Sequence, residues 1–190
     1  MSKLRPEQTA LVDGNQWRSG PRSLMESMGI AYRETRLTAG LAWLLQPDGH
    51  HGLGDALLLP LLSAVGLGEV DASNVQIVTE QSRDAGATRA DLVLYGGDWT
   101  VCVEAKVFAA EGGKQLDRLY ELWADDVDPR FVFLTRRRYD PVTAVESQGK
   151  WCSLTWADVA KWLRRACSTT DGVAPGVRDY LTTLEVHHHG

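Results

Sequence analysis

The sequence has no long apolar run. Its longest apolar stretches, LAWLL and ALLLPLL, are too short to cross a bilayer, and the amino-terminal residues do not show the basic segment and apolar core of a secretory signal. We therefore expect a soluble, cytoplasmic protein without membrane contacts. The 190 residues, of which 44% are hydrophobic, are enough to bury the core of one sizeable domain.

Cysteine is also scarce. The three cysteines, Cys102, Cys152 and Cys167, are odd in number and do not have the spacing of metal ligands. Neither a disulfide framework nor a zinc site is indicated, and we expect reduced, mostly buried thiols.

An excess of positive charge is missing too. The formal net charge of −5 at pH 7 argues against a broadly basic protein that coats nucleic acid. It leaves room for a nuclease, because a metal site needs acidic ligands and only one face of the protein has to be positive. The densest basic run, Arg136, Arg137 and Arg138, is either a solvated strand end or an edge that contacts phosphates.

The order of helical and extended patterns predicts an α/β fold. Helical spacing begins at Ser23 and ends before Pro47, with one apolar face formed by Leu37, Leu41, Leu44 and Leu45. Further helices are predicted over 55–65, from the glycine pair at 112 and 113, over 156–166 and over 177–186. The runs VQIVTEQ, ADLVLYG, WTVCVEAKVF, RFVFLT and WCSLT are strand-like.

The first three strands should form an antiparallel meander, because the second and third are joined by a tight turn at residues 96–98. A strand that follows a crossover helix usually runs parallel to its neighbour, so the complete sheet should be mixed. We expect residues 1–22 to be a lead-in segment and residues 23–186 to be a single domain. Residues 187–190 form a histidine-rich tail that resembles an affinity tag.

Two charges interrupt the third strand. Side chains alternate along a strand, so Glu104 and Lys106 should face one way while Val101 and Val103 face the core. This pair has a simple alternative explanation, which is an ion pair on a half-exposed strand that contributes little to stability.

Asp91 lies on the preceding strand. Its neighbours Ala90 and Leu92 should face the core, and the hairpin register can bring Asp91 close to Glu104. Two carboxylates at short range raise each other's pKa unless a cation neutralises them, and oxygen ligands of this kind suit Mg²⁺ or Mn²⁺.

A third acidic candidate is Glu34, which lies on the apolar stripe of its helix. A carboxylate there is costly unless it is paired or bound to a metal. The alternatives are an ion pair with Arg33 or Arg36, or a first-turn residue that faces water.

The order of these features resembles the PD-(D/E)XK nuclease superfamily, also called restriction-endonuclease-like. The resemblance includes Glu34 in ETRLTAGLAWLL, the HGLG loop, Asp91, the Glu104-Ala105-Lys106 run and Gln115 in its helix, and it extends from residue 34 to about residue 120. The helix that carries Glu34 and the HGLG loop together resemble those of one branch of that superfamily. The proline that usually precedes the first acid is replaced here by alanine.

The resemblance implies a restriction-endonuclease-like α/β/α core and a role for each matched residue. Asp91, Glu104 and the backbone carbonyl of Ala105 would bind the metal, with Mg²⁺ expected and Mn²⁺ able to replace it. Lys106 would position or activate the attacking water, and Gln115 would lie near the scissile phosphate unless it is a plain polar helix residue. Glu34 would act at the metal, directly or through a water.

The implied function is a metal-dependent nuclease that hydrolyses phosphodiester bonds, with DNA favoured over RNA. One site per chain would need a homodimer or a larger complex to cut both strands of a duplex, and the acidic balance favours help from a partner, by analogy with nuclease subunits of defence or mobile-element systems. The alternative is a non-catalytic subunit with the same fold that binds nucleic acid or serves in assembly. We expect His50 and His51 to order the loop next to the catalytic cleft. Glu80 should be solvated or should support the metal ligands without binding the metal itself.

Overall fold

The computed structural model describes residues 6–14, 16, 18–84, 88–108 and 112–188. Within these residues, one sheet contains five strands in the order β1-β2-β3-β4-β5, which are Gln76–Arg83, Thr88–Tyr95, Thr100–Ala105, Pro129–Thr135 and Trp151–Thr155. The helices, from α1 to α7, are Pro6–Asp13, Leu24–Ser27, Glu34–Leu45, Leu58–Ala64, Gln115–Trp123, Trp156–Thr169 and Pro175–His187.

The sheet is mixed, as predicted. The pairs β1/β2 and β2/β3 are antiparallel, whereas β3/β4 and β4/β5 are parallel. Helix α5 lies between β3 and β4 in the chain and supplies the crossover that parallel neighbours require. The predicted meander followed by a crossover helix is therefore confirmed.

Apolar side chains at alternate positions along a strand point to opposite faces of the sheet and pack in two separate cores. Val101 and Val103 belong to a core that also contains the buried faces of α3, α4, α6 and α7. Val93 and Cys102 belong to a second core, which is closed by Leu116, Leu119 and Trp123 of α5. The sheet is therefore covered by helices on both faces, which gives the predicted α/β/α arrangement.

One predicted helix is divided in two. Ser23 caps α2 by accepting a hydrogen bond from the Glu26 N–H, and Gly29 then adopts a φ of 68°. This left-handed conformation, which glycine adopts without steric cost, ends the helical path. The prediction of continuous helix from Ser23 is therefore wrong, and α3 begins only at Glu34.

The prediction that Ala90 and Leu92 share a core face is also wrong. Ala90 packs in the core beneath α5 with Val93, whereas Leu92 packs in the opposite core. Regular alternation breaks near Asp91, where the ladder between β2 and β3 stops: its last pair is Leu92 with Val103. The third strand likewise ends at residue 105, earlier than the predicted residue 108.

Helix α7 crosses α3 at very short range. A Cβ atom added to Gly40 would lie 2.5 Å from the ring of Tyr180, and the Tyr180 hydroxyl donates a hydrogen bond of 2.8 Å to the Leu37 carbonyl. The absence of a side chain at residue 40 permits this contact. The crossing fixes α3 and therefore the position of Glu34 at its first turn.

The carboxyl-terminal histidines pack against the domain. His187 ends α7, and His188 is fully buried and donates a hydrogen bond of 2.7 Å from Nε2 to the Ala31 carbonyl. Burial lowers the pKa of His188. Residues 187 and 188, which the sequence assigned to a tail, are thus in contact with the domain, while residues 189 and 190 lie outside the described part.

A long connection between β4 and β5 is held by Asp117 of α5. This carboxylate is nearly buried and accepts hydrogen bonds from the backbone N–H groups of Val145, Glu146 and Ser147 and from the Ser147 hydroxyl, at 2.8 to 3.1 Å. Burial opposes ionisation of Asp117, but these donors lower its pKa overall. The connection is therefore fixed to the same helix that carries Gln115.

Two further expectations concern thiols and membranes. The cysteines are free, with Cys102 and Cys167 buried and Cys152 partly buried. In the part of the chain that the structure describes, no helix combines the length and the apolar character needed to span a bilayer.

Candidate active site

The site lies where the ladder between β2 and β3 ends. Continuing the register beyond the pair Leu92 and Val103 brings Asp91 opposite Glu104. The Asp91 carboxylate enters the gap between the strands and accepts a hydrogen bond of 2.8 Å at Oδ2 from the N–H of Ala105. A side chain thus replaces the backbone partner of this N–H, and the strands separate around the two acids.

Glu104 is buried, with only 1% of its side chain exposed. Its Oε1 atom accepts hydrogen bonds of 2.5 Å from both Lys106 Nζ and Gln115 Nε2. Its Oε2 atom is buried and has no hydrogen-bond partner among the described residues. A buried carboxylate oxygen without a donor is costly, so this atom is available to a ligand that carries positive charge.

Glu34 reaches the site from the first turn of α3. Its Oε2 atom accepts a hydrogen bond of 2.9 Å from the N–H of Val107, and its Oε1 atom lies 3.7 Å from Lys106 Nζ. The side chain is 23% exposed. Glu34 therefore contacts the end of β3 and the lysine, instead of the ion pair with Arg33 or Arg36 that was the alternative expectation.

Gln115 connects the first turn of α5 to the acids. Besides its hydrogen bond to Glu104, its Oε1 atom accepts one of 3.3 Å from the N–H of Gly112. Lys114 precedes it with a φ of 55°, a conformation that turns the chain sharply into the helix. The loop before α5 is thereby tied to the buried carboxylate.

The five predicted side chains line one cleft with a volume of about 410 Å³, and the other residues around it are Thr35, Thr88, Arg89, Gly112 and Arg118. Sequence reasoning missed Arg89 and Arg118. Arg118 follows Gln115 by three residues and thus shares its face of the helix, which is the signal that could have identified it. Arg89 forms an ion pair of 2.9 Å with Glu80 at the rim.

Burial dominates the electrostatics of the acids. It raises the pKa of Asp91 to about 6, against the lowering effects of the Ala105 N–H and Lys106. Burial, and then the negative charge of Asp91, raises the pKa of Glu104 to about 8. The short contact with Lys106 favours the ionised form of Glu104, but it serves one oxygen only and leaves Oε2 without a donor, so the raised pKa is the physically expected direction.

Lys106 is the ammonium that faces these carboxylates. Burial acts to lower the pKa of Lys106, but the neighbouring carboxylates, Glu104 first, raise it above its ordinary value. When Asp91, Glu104 and Glu34 are ionised, a single ammonium faces three negative charges. A bound cation would remove this imbalance.

The residues fit a divalent metal with few protein ligands. Among the described residues, no group of three or more His, Cys, Asp or Glu side chains is arranged to hold a metal ion. Glu34 is accordingly engaged with Val107 and Lys106, and Asp91 and Glu104 remain as the pair of carboxylates in the cleft. A hard divalent cation can be held by one or two carboxylates and waters, so this donor set is compatible with one.

The other candidates do not line the cleft. His51 is buried, donates from Nε2 to the Gln46 carbonyl at 2.7 Å and accepts the Leu53 N–H at Nδ1 at 3.0 Å, which orders the HGLG loop. Neither His50 nor His51 is among the cleft-lining residues, and Glu80 is held in its ion pair with Arg89 outside that lining.

A model of the PD-(D/E)XK nuclease superfamily matches residues 25–178, a range that contains all five residues predicted for the site. No curated protein and no solved structure gives a match. The matched range covers most of the chain and agrees with the mixed sheet and its two helical layers. The chain belongs to the PD-(D/E)XK nuclease superfamily.

Proposed function

We propose that this protein is a Mg²⁺-dependent nuclease, with Asp91, Glu104 and Lys106 as its central residues. The observation that carries the proposal is the Oε2 atom of Glu104, a buried carboxylate oxygen without a donor among the described residues, beside the half-buried carboxylate of Asp91. Buried polar atoms normally have a hydrogen-bond or ionic partner, and a divalent cation is a partner that would stabilise both carboxylates.

Asp91, Glu104 and the backbone carbonyl of Ala105 would hold the metal, and Mn²⁺ could replace Mg²⁺. A divalent cation there supplies a nucleophile at neutral pH and offsets the charge of the phosphodiester. Glu34, which accepts the Val107 N–H, orients the end of β3 and would act on the metal through a water.

Lys106 places a protonated ammonium group beside the carboxylates of Asp91 and Glu104. Its raised pKa keeps it charged at neutral pH, so it can orient a water and stabilise the charge that develops on the phosphoryl oxygens. Gln115, hydrogen-bonded to Glu104, holds that carboxylate in place and lies at the cleft surface, near the position that a phosphate would take.

The substrate proposed is nucleic acid, with DNA favoured over RNA. Cutting both strands of a duplex would require a homodimer or a larger complex, because one chain supplies one site. The protein as a whole is acidic, with a net charge of −5, so a partner or a local basic surface would have to supply part of the affinity for phosphates.

Calorimetric titration with Mg²⁺ and Mn²⁺, followed by incubation with single- and double-stranded DNA and RNA, tests the proposal. We expect metal binding and metal-dependent cleavage by the parent, and loss of both in Asp91→Asn, which can still accept the Ala105 N–H. Glu69→Gln removes an exposed carboxylate outside the cleft and should behave like the parent.

The same experiment tests the alternative function. A non-catalytic subunit would bind nucleic acid without cutting it, and its affinity would not depend on Asp91. Absence of cleavage under every metal and substrate condition, together with undiminished binding in Asp91→Asn, would overturn the nuclease proposal.

A further inference from the structure

A second cleft adjoins the first at Lys106, which lines both. It has a volume of about 340 Å³, within the range of small-ligand sites, which is about 300–1,000 Å³. Its described lining residues are Lys106, Val107, Phe108, Thr135, Arg136, Arg137 and Tyr139. Three of these residues are basic and none is acidic, whereas the first cleft combines three acidic residues with Arg89, Lys106 and Arg118.

The positive charge of this second cleft is only partly used by the fold. Lys106 is engaged with Glu104 and Glu34. Arg138, which does not line the cleft, forms an ion pair of 2.8 Å with Asp158. Arg136 donates to a neutral acceptor, the His187 carbonyl, at 3.1 Å and forms no ion pair with another described residue. Arg137 is exposed and has no ion pair within the described part of the chain. The cleft thus offers uncompensated positive charge to an anion.

An exposed aromatic surface lies at the same place. Phe108 is 61% exposed and Tyr32 is 51% exposed, and their ring centroids are 5.5 Å apart. The Arg136 guanidinium covers part of the Phe108 ring at 4.6 Å from its centroid, and the Tyr32 hydroxyl is fixed by a hydrogen bond of 2.8 Å to His187 Nδ1. Large exposed rings held in fixed orientations are costly in water and well suited to stacking.

We propose that the second cleft binds the nucleotide next to the scissile phosphate, with its base unpaired and stacked on Phe108 and Tyr32. Phe108 follows Lys106 by two residues, so its backbone lies within about 7 Å of the proposed catalytic lysine. Arg137 contacts the adjoining phosphate. Because a base within a duplex hides its faces in the stack, the substrate is a single strand, a frayed end or another nucleic acid with unpaired bases.

This inference rests on the proposed nuclease function and also makes a separate prediction about binding. Base stacking on an aromatic side chain is tolerant of sequence, and removal of the ring typically weakens binding by about 5- to 150-fold. A contact between an arginine and a phosphate of a single strand contributes about 0.7 to the slope of log affinity against log salt concentration. The two contributions can therefore be measured independently.

The test measures binding of a fluorescent ten-nucleotide oligothymidine, its RNA equivalent and a blunt hairpin duplex in EDTA, where cleavage does not interfere. We expect the parent to prefer both single strands to the duplex. Phe108→Ala should weaken single-strand binding by about 5- to 150-fold and Phe108→Trp should preserve it. Arg137→Gln should lower the salt slope by about 0.7.

Matched controls lie outside the second cleft. Val127→Ala removes an apolar side chain that is 61% exposed, like Phe108, and Arg165→Gln removes an exposed arginine of α6. Both should bind like the parent. Thermal melting checks that each variant is folded, which is expected because Phe108 is exposed.

Equal affinity of the parent for the duplex and the single strands, or parental binding by Phe108→Ala, would overturn the inference. If Phe108→Ala binds normally while metal-dependent cleavage persists in the parent, the second cleft fails and the nuclease proposal stands. If the parent never cleaves nucleic acid but Phe108→Ala loses single-strand binding, the nuclease proposal fails and the proposal for the second cleft stands.

Discussion

Without a metal, the buried acids should make the protein less stable as pH rises. The pKa of Glu104 is raised from an ordinary value of 4.5 to about 8, and each pKa unit corresponds to about 1.4 kcal/mol. Below pH 4.5, Glu104 is protonated in both the folded and unfolded states and carries no penalty. Between pH 4.5 and 8, Glu104 ionises in the unfolded state but stays protonated in the folded state, so the free energy of unfolding falls. Above pH 8 Glu104 is ionised in both states and the loss of stability is complete.

The shift of Glu104 sets an upper limit of roughly 5 kcal/mol, and we expect a measured loss of about 2–4 kcal/mol between pH 5 and 8.5. Asp91, whose pKa is raised to about 6, titrates in the same window and in the same direction. His188, whose pKa is lowered by burial, acts in the opposite direction. Its contribution is common to the parent and to any variant at residue 104, so it cancels in a comparison.

The assay is urea unfolding in EDTA at a series of pH values for the parent and Glu104→Gln. The variant keeps the shape of the side chain and removes its charge, so it should lose much of the pH dependence and be the more stable protein at pH 8.5. Mg²⁺ should restore the stability of the parent at that pH and have little effect on the variant. Parallel pH profiles for the two proteins would refute the reasoning, because Glu104 would then carry no ionisation penalty.

Three further predictions concern the residues around the acids. Lys106→Ala should retain metal binding in calorimetry and lose cleavage, since the ammonium acts on water and phosphate; unchanged cleavage would exclude it from the mechanism. Glu34→Gln should melt like the parent and cleave at least about tenfold more slowly, as a charge near the metal requires; parental rates would make Glu34 structural. Gly40→Ala should destabilise the fold by about 1–3 kcal/mol in urea unfolding, because its Cβ meets the Tyr180 ring at 2.5 Å, and parental stability would show that the crossing can relax.

The sequence was sufficient to predict the sheet and to select its acids as candidates for the site. Strand alternation predicted that Glu104 and Lys106 share a face, and the hairpin register allowed Asp91 to come close to Glu104, although the alternation predicted around Asp91 was wrong. Both predictions depend on contacts close in the chain, where a period of two and a tight turn determine which side chains meet.

Contacts between distant segments could not be predicted in this way. The partner of Glu34 is the N–H of Val107, 73 residues away, and no local period encodes that distance. No local pattern marks Asp117, which holds a connection about 30 residues away. His188 was set aside with a histidine-rich tail, and its burial against Ala31 depends on the packing of α7. In each case tertiary packing decided the role.

The backbone around Lys106 is held in an unusual way. The amides on either side of it, at Ala105 and Val107, donate to the carboxylates of Asp91 and Glu34, while the Lys106 amide donates to the Leu134 carbonyl at 2.7 Å. Amide hydrogen exchange can therefore report on the acids directly. If metal draws Asp91 away, the Ala105 amide should exchange faster on adding Mg²⁺ while the Lys106 amide stays protected by the sheet, so that one residue acts as the internal standard for its neighbour.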